Sequence, residues 1–595
     1  MKTPAAALRW LLPLVCLGAG TLVTAELGQA WGEPRHPGAA LCLGVAAVLL
    51  AGGCFNQLLY VAGACAGRQR RRTQSAPRPA EPALEAKVAL VMPIYHEDTE
   101  QVFRGVRCTW LSCRSAGLAQ CYDFYLLSDS TDPALCCGEE ALVRSLQADF
   151  GHPGDRAGRL FLQRRSDRAN FKAGNIMNFL DRQGIAYDFM LVLDADSVML
   201  GATLRRLIIS LQTQPRTAIL QTLMLPIRAC TPFARALQYS TTRCLPPYAR
   251  GMRWFWGEES VYWGHNALIR VAPFREHCRL PTLPGQPPWG GPILSQDIVE
   301  AALLGRAGWE IRWDVGCGGS FDELPANLLT YGNRDRRWCQ GNFQHARFLF
   351  ARGIKFGHRL YFANGIWAYL AGPLALLLFV IGLVRGWLGT LPAPDPWLLS
   401  VALGLFWAQM LLPRALGLLE LRRGCPPGAD ESTRSRGPAW LPEVASMLTE
   451  LALSLLVAPA LFWLHTRFVV AILTGGHVTW RSQSRDPRQR VGWASAARVL
   501  WCPTVLGLWG MLAVGSVPLP LAVGMLPMLL GLAFSIPCAV VTSDARLGRR
   551  LADLGLFPDH FSREELLALG GLINGDPTGR LPPVMVGEDV QPTGP

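Results

Sequence analysis

The chain has 595 residues, half of them apolar and only 17% charged, with 60 Gly, 44 Pro and 20 Trp. That balance, with a positive mean hydropathy, excludes a single soluble domain and points to a membrane protein. A net charge of +13 would suit nucleic-acid binding, but no basic stripe is interleaved with aromatics. The Arg clusters instead flank apolar runs, the pattern of loops held on the inner side of a membrane.

Lys2 precedes an apolar segment over 6–25, and a second covers 38–64. Both read as membrane helices joined by a short external loop carrying Glu26, Glu33 and His36. The first lacks an Ala-x-Ala cleavage site and a second span follows at once, which argues against a secretory signal. Arg68, Arg70, Arg71 and Arg72 then hold the next part of the chain in the cytoplasm. Residues 1–72 are thus two N-terminal transmembrane helices, and the Pro- and Ala-rich stretch 73–86 is a linker.

Over 87–357 the pattern changes to apolar runs at 87–94, 122–127 and 189–193 that read as strands, with helical patterns at 99–116, 138–150 and 204–213. A further strand is expected at 217–225. Strands alternating with helices predict a mostly parallel, doubly wound α/β sheet. The run Phe189 to Leu193 has no polar face, as in a strand buried on both sides, and it stops at Asp194, Ala195 and Asp196. Residues i and i+2 of a strand point the same way, so both carboxylates leave the sheet's C-terminal edge together, where such sheets bind ligands. Two hard oxygen donors there suit Mg²⁺ or Mn²⁺ bridging to phosphates; a lone Asp-x-Asp is equally a polar turn. Three more polar sites gather at that edge: Pro93, Tyr95 and Glu97; Ser128 and Asp129; and Lys172-Ala173-Gly174-Asn175. Neither G-x-G-x-x-G nor Gly-Lys-Ser/Thr is present, which excludes dinucleotide and P-loop sites.

Beyond 357 the chain turns apolar again, with spans at 360–385, 397–420, 498–515 and 518–541. The segment 441–474 is too long for one span and is interrupted by Glu450, Pro459, His465 and Arg467 between basic flanks; it reads as a hairpin-like excursion. Residues 358–545 form a transmembrane region with cytoplasmic or interfacial segments at 421–445 and 462–497, and 546–595 a cytoplasmic tail. The 17 Cys show no paired CxxC spacing and read as reduced thiols.

The ordered set Pro93-x-Tyr95-x-Glu97, Ser128-Asp129, Lys172-x-Gly174-Asn175, Asp194-x-Asp196, an isolated Asp297, and Arg334-x-x-Arg337-Trp338 before membrane spans resembles the processive family 2 glycosyltransferases, the cellulose synthase group. Within it, the strings Val91 to Tyr95, Val192 to Met199, Tyr262 to Ala267 and Asp335 to Cys339 are similar to those of the osmoregulated periplasmic glucan synthases, the glucan biosynthesis glucosyltransferase H group. The resemblance covers about residues 85 to 550. It implies a GT-A catalytic domain and UDP-glucose as donor. It further implies inverting transfer into a β-1,2-glucan at the cell inner membrane, with export to the periplasm. Implied partners are membrane lipid, the growing glucan, a periplasmic glucan-processing protein and acyl carrier protein. Many members carry a long extension before the first span; this sequence begins almost at that span.

Residue by residue, the resemblance gives Glu97 and Asp129 to the uridine, with Pro93 and Tyr95 shaping its pocket. Lys172, Arg334 and Arg337 go to the diphosphate. Asp196, with Asp194, would ligate the metal. Asp297, in Ser295-Gln296-Asp297 where the family more often has Thr-Glu-Asp, is the general base; its alternative reading is a helix N-cap. Trp338 would stack on the acceptor sugar, with Tyr262, His265 and Asn266 lining the acceptor side. The run 476–481 is similar to a gating loop, with Ser482 where that loop has Gly. Asn364, Gln409, Glu450 and His465 are candidate channel-lining residues. Two alternatives stay open: a synthase of another β-glycan (cellulose-, hyaluronan- or poly-N-acetylglucosamine-like), and a membrane transporter or regulator that only binds a nucleotide sugar.

Overall fold

The computed structural model describes residues 11–21 other than 19, 37–73, 83–150, 158–391 other than 317, 396–422, 440–477 and 490–558, together with 565 and 569. The linker at 74–82, parts of the first apolar segment, Val478 to Ser482 of the gating-loop candidate and most of the tail lie outside the described residues.

A seven-stranded sheet has the order β3-β2-β1-β4-β8-β6-β9. It is built from β1 (Val88–Ile94), β2 (Tyr122–Ser128), β3 (Leu160–Arg164), β4 (Phe189–Val192), β6 (Thr217–Thr222), β8 (Ala267–Arg270) and β9 (Glu310–Asp314). Strands β3, β2, β1 and β4 run parallel, β8 lies antiparallel to both β4 and β6, and β6 and β9 are parallel. The mostly parallel expectation holds, with β8 as the exception. Alternate residues of β1 feed opposite faces: Val88, Leu90 and Met92 join one core cluster, Ala89 and Val91 the other. Each such fully buried Val, Leu or Met contributes about 1.5–3 kcal/mol relative to exposure.

The expected strand at 217–225 is two strands. Leu223 and Met224 carry the chain out of β6 and into β7 (Leu225–Ile227), which joins β10 (Ser320–Glu323) and β5 (Val198–Met199) in a small sheet of order β5-β10-β7. Because β5 follows the Asp194–Asp196 turn directly, this small sheet buttresses that turn.

The helices of the α/β unit are α2 (Thr99–Ser115), α3 (Pro133–Phe150), α4 (Phe171–Arg182), α5 (Gly201–Thr213), α6 (Pro232–Trp256), α7 (Val271–His277), α8 (Gln296–Arg306) and α9 (Leu328–Gln344); α1 (Pro37–Thr73) precedes them. Asp98 caps α2 by accepting from the Glu100 and Gln101 amides, and Asn327 with Thr330 forms a capping box on α9. After them come α10 (Phe356–Trp387), α11 (Pro396–Arg422), α12 (Trp440–Leu473), α13 (Trp493–Ala513), α14 (Leu519–Ala533), α15 (Ser535–Val541) and α16 (Ala545–Asp553). Among the described residues five helices are long and apolar enough to cross a membrane. The pair α14 and α15, bent by 59°, makes a sixth if counted as one span. The chain is a membrane protein.

The hairpin expected at 441–474 is corrected: α12 is one continuous helix from Trp440 to Leu473, while much of the segments proposed at 421–445 and 462–497 lies outside the described residues. The residues read as interruptions are partnered within the helix packing. Glu450 accepts from Arg414 at 2.6 and 2.8 Å, and Asp335 meets His465 at 2.6 Å. Pro459, which removes one helical donor, packs against Gly531 of α14. Both ends of α12 also meet the α/β unit: Glu443 accepts from Tyr239 and Arg243 of α6, and His465 reaches Asp335 of α9. The end of α15 returns there too, where the Phe233 amide donates to the Thr542 carbonyl.

Candidate active site

A cavity of about 790 Å³ opens at the C-terminal edges of β1, β2 and β4. Pro93, Tyr95, Glu97, Asp129, Lys172, Asp194, Asp196, His265, Asp297, Arg334, Arg337 and Trp338 all line it. Sites separated by more than 200 residues in sequence therefore share one wall, as the strand-end argument requires.

On the side expected to take the nucleoside, the loops after β1 and β2 are stitched together by His96, which the sequence reading did not single out. Its amide donates to Ser130 Oγ (3.0 Å), and its Nε2 accepts from the Thr131 amide (3.0 Å). Its ring stacks on Tyr95 at 4.3 Å. Asp129 is buried and held in a two-point pair by Arg165, whose Nε and Nη2 donate at 2.8 and 2.7 Å. Arg165 also donates to the Ala169 and Phe171 carbonyls, so it fixes the turn that presents Lys172. The signal that could have found it is an Arg at a strand end just before Lys-x-Gly-Asn.

Lys172 Nζ contacts both an Asp194 carboxylate oxygen and the Gly264 carbonyl. Asp196 is buried at the cavity wall. His265, expected on the acceptor side, lines the cavity beside the Asp-x-Asp turn: Nδ1 is 3.0 Å from Ser197 Oγ and Nε2 is 4.0 Å from Asp194 Oδ2. Two other residues expected on the acceptor side are buried away from it. Tyr262 is buried in the core cluster that also holds Ile176 and Phe274. Asn266 is fully buried, donating to Ser320 Oγ and the Phe321 carbonyl. Neither lines the cavity, although Trp263, Gly264 and His265 between them do.

Asp297 stands in the first turn of α8, one residue past the start of the helix, and Ser295 takes the N-cap position without a side-chain cap bond. Removal from water raises its pKa above the usual carboxylate range, opposed by the charge of Lys172, by the Ile298 and Asp297 amides and by His265. One turn on, Glu300 is buried and pushed up to about 8 by desolvation and the Asp297 charge. Gly264 has φ +86°, and a Cβ there would sit 3.2 Å from Asp297 Oδ2. Only glycine gives both that backbone and room for the carboxylate.

Opposite Asp297, α9 presents Arg334, Arg337 and Trp338. The Arg334 guanidinium lies 4.5 Å over the Trp338 ring and 5.4 Å over Tyr331, so one face of Trp338 is already covered. The cavity continues past Trp338 to Asn364, Gly365 and Tyr369 of α10 and His465 of α12. Tyr369 Oη donates to Asp335 at 2.9 Å. Of the other channel candidates, Gln409 lies against Gly53 of α1, and Glu450 is paired with Arg414; neither lines this cavity.

Residues 189–411 match the family described as Glycosyl transferase family group 2. The chain is 34% identical over 596 residues to the glucans biosynthesis glucosyltransferase H of Rhodopseudomonas palustris strain TIE-1, covering 96% of this chain and 79% of that protein. To the protein of the same name from strain CGA009 it is 36% identical over 508 residues, covering 82% and 68%. Among solved structures, the mannosyltransferase PcManGT from Pyrobaculum calidifontis in complex with GDP-Man and Mn²⁺ aligns with TM-score 0.36 and 15% identity, over 68% of this chain and 97% of that one. The extent of the sequence matches, with the α/β sheet and the cavity at its edge, makes this chain a membrane-embedded GT-A glycosyltransferase of family group 2, belonging to the glucans biosynthesis glucosyltransferase H family.

Proposed function

We propose that this protein polymerises glucose from UDP-glucose into a β-glucan by inverting transfer, with its catalytic unit on the cytoplasmic side of the cell inner membrane. The observation that carries this reading is the single cavity that joins Asp129, Lys172, Asp194, Asp196, Asp297, Arg337 and Trp338 and runs on into α10 and α12. In it, Asp297 takes the proton from the acceptor hydroxyl as that oxygen attacks the anomeric carbon, and the C–O bond to the diphosphate breaks. Lys172 and Arg337 meet the charge left on the departing diphosphate. Trp338 offers its uncovered face to the terminal sugar.

The donor set also fits a divalent cation. Asp194 and Asp196 supply hard carboxylate oxygens on one wall, and no group of three or more His, Cys, Asp or Glu among the described residues would hold a metal alone. Two carboxylates completed by diphosphate oxygens and water are the usual setting of Mg²⁺ or Mn²⁺, which would neutralise the leaving group. The extension of the cavity to the apolar helices supports delivery of the product into them, and hence export coupled to synthesis. The β-1,2 linkage follows the family resemblance.

The test is incorporation of labelled UDP-glucose by membranes carrying the protein, with Mg²⁺, beside Asp297→Asn, followed by linkage analysis. We expect a β-1,2 polymer, and a loss of about 10²–10⁴-fold in the variant while UDP still binds. A polymer of another linkage would overturn the product assignment but keep the mechanism. UDP binding without transfer of any sugar would favour the regulator reading.

A further inference from the structure

α9 has two working faces. One presents Arg334, Arg337 and Trp338 to the cavity; the other is buried against the strap 288–295 that leads directly into Asp297. The strap's polar contacts come from the last turn of that buried side, through Gln340 and Gln344, and from His345 just past the end of the helix. Gln340 Nε2 donates to the Pro288 carbonyl at 3.3 Å. Gln344 Nε2 donates to the Gly290 and Pro292 carbonyls at 3.3 and 3.2 Å, and its Oε1 accepts from the Leu294 amide at 3.0 Å. His345 Nε2 lies 3.0 Å from the Ser295 carbonyl, which can only accept, so this nitrogen carries the proton. All three side chains are at most 2% exposed.

Between them the helix itself touches the strap. A Cβ on Gly341 would collide with Ser295 Oγ and come within 2.8 Å of its amide. A glycine here lets helix backbone approach strap backbone and brings the three donors within reach of main-chain carbonyls. Nothing in the transfer chemistry uses Gln344 or His345, yet burying two polar side chains is unfavourable unless their partners are fixed. What they fix is the backbone on which Asp297 begins its helix.

We infer that Gln344 and His345 are positioning residues, which bolt the general-base strap to the acceptor-platform helix so that Asp297 and Trp338 move as one body. This rests on the reading of Asp297 as the base. The acceptor hydroxyl must lie between a group held by α9 and a group held by the strap. An error of about 1 Å between them costs about 10²-fold in rate, whereas the donor pocket, built at the ends of β1, β2 and β4 with Arg337 carried by α9 itself, does not include the strap contacts.

The experiment compares full-length Gln344→Leu, His345→Phe and His345→Gln with the parent and with Asp297→Asn, in detergent-solubilised membranes. Readouts are kcat and KM for UDP-glucose, UDP affinity, and hydrogen exchange in the strap peptide. Gln344→Leu and His345→Phe should lower kcat by about 10- to 100-fold with KM and UDP affinity within about twofold, and should raise exchange over 288–297. His345→Gln, which can donate to the Ser295 carbonyl, should recover most of the loss. Full activity in both apolar variants would overturn the inference. So would an activity loss that follows loss of folded protein, with UDP affinity falling in step and no rescue by Gln. Asp297→Asn retaining activity would remove the base assignment itself, a result separable from all of these.

Discussion

At the scale of single residues, the cavity works by arranging which charges are already paired. Asp129 cannot be treated as a free acceptor waiting for a base: Arg165 occupies both its oxygens, and both side chains are at most 10% exposed. Breaking one partner of such a pair leaves an uncompensated buried charge, worth about 3–5 kcal/mol. Arg165→Met should therefore lower the thermal midpoint markedly and weaken UDP binding, measured by thermal shift and by calorimetry. An unchanged midpoint would show that water reaches the pair.

Glu300 gives a pH-dependent signature. Its pKa in the folded chain is raised to about 8, so between the ordinary Glu value and that pH the folded state holds a proton the unfolded chain has released. Its contribution is thus fully present below the unfolded pKa and lost as pH rises through about 8. Glu300→Gln should shift the thermal midpoint little near pH 5 and raise it at pH 8.5 relative to the parent. A gain of equal size at both values would exclude this origin. Neither residue was legible as a partner in the sequence. Asp129 and Asp297 could be placed from strand ends and family order, but Arg165, Glu300 and His96 act through contacts that only the folded chain brings together. The burial of Tyr262 and Asn266 has the same origin: both neighbour cavity-lining residues in sequence, and which side chain turns inward depends on how the segment approaches the antiparallel β8.

At the scale of elements, β1, β2 and β4 were the most legible, because β1 and β4 are uniformly apolar, β2 is nearly so, and all three end in chemistry. Helix α12 was the least legible. Glu450, His465 and Arg467 look like breaks when no partner is visible, yet Arg414 and Asp335 lie opposite the first two, and Arg467 reaches the Val499 carbonyl. A hydropathy count makes α12 a span, whereas its contacts at Glu443 and His465 start and finish it on the α/β unit. The expected outcome is that α12 runs along the membrane's inner face. Single cysteines at Trp440→Cys and Gly476→Cys, in a protein freed of other reactive thiols, should both react with an impermeant maleimide from the catalytic side only. Labelling from opposite sides would make α12 a crossing.

At the scale of the whole molecule, the stretch read as the catalytic unit, residues 87–357, is not bounded by seams along which the molecule comes apart. α6 lies along α1, with Phe55 against Phe255 at 5.0 Å and against Trp256 at 6.2 Å. Arg243 and Arg250 of α6 pair with Glu443 and Glu420 of α12 and α11. An excised 87–357 fragment would expose this apolar side with unpaired arginines. It should aggregate in size-exclusion chromatography without detergent, whereas the whole chain in detergent should unfold in one transition by calorimetry.

The contact of α1 with α6 goes further than side chains. A Cβ on Gly63 would strike the Pro247 carbonyl, and one on Gly251 the Leu59 carbonyl, so main chain rests on main chain in both directions. Side-chain interfaces can drift by compensating substitutions; an interface made of bare backbone leaves no atoms with which to compensate. Grafting the catalytic half of one relative onto the membrane half of another should succeed only when α1 and α6 travel together, which makes the first membrane helix, by inheritance, a piece of the transferase.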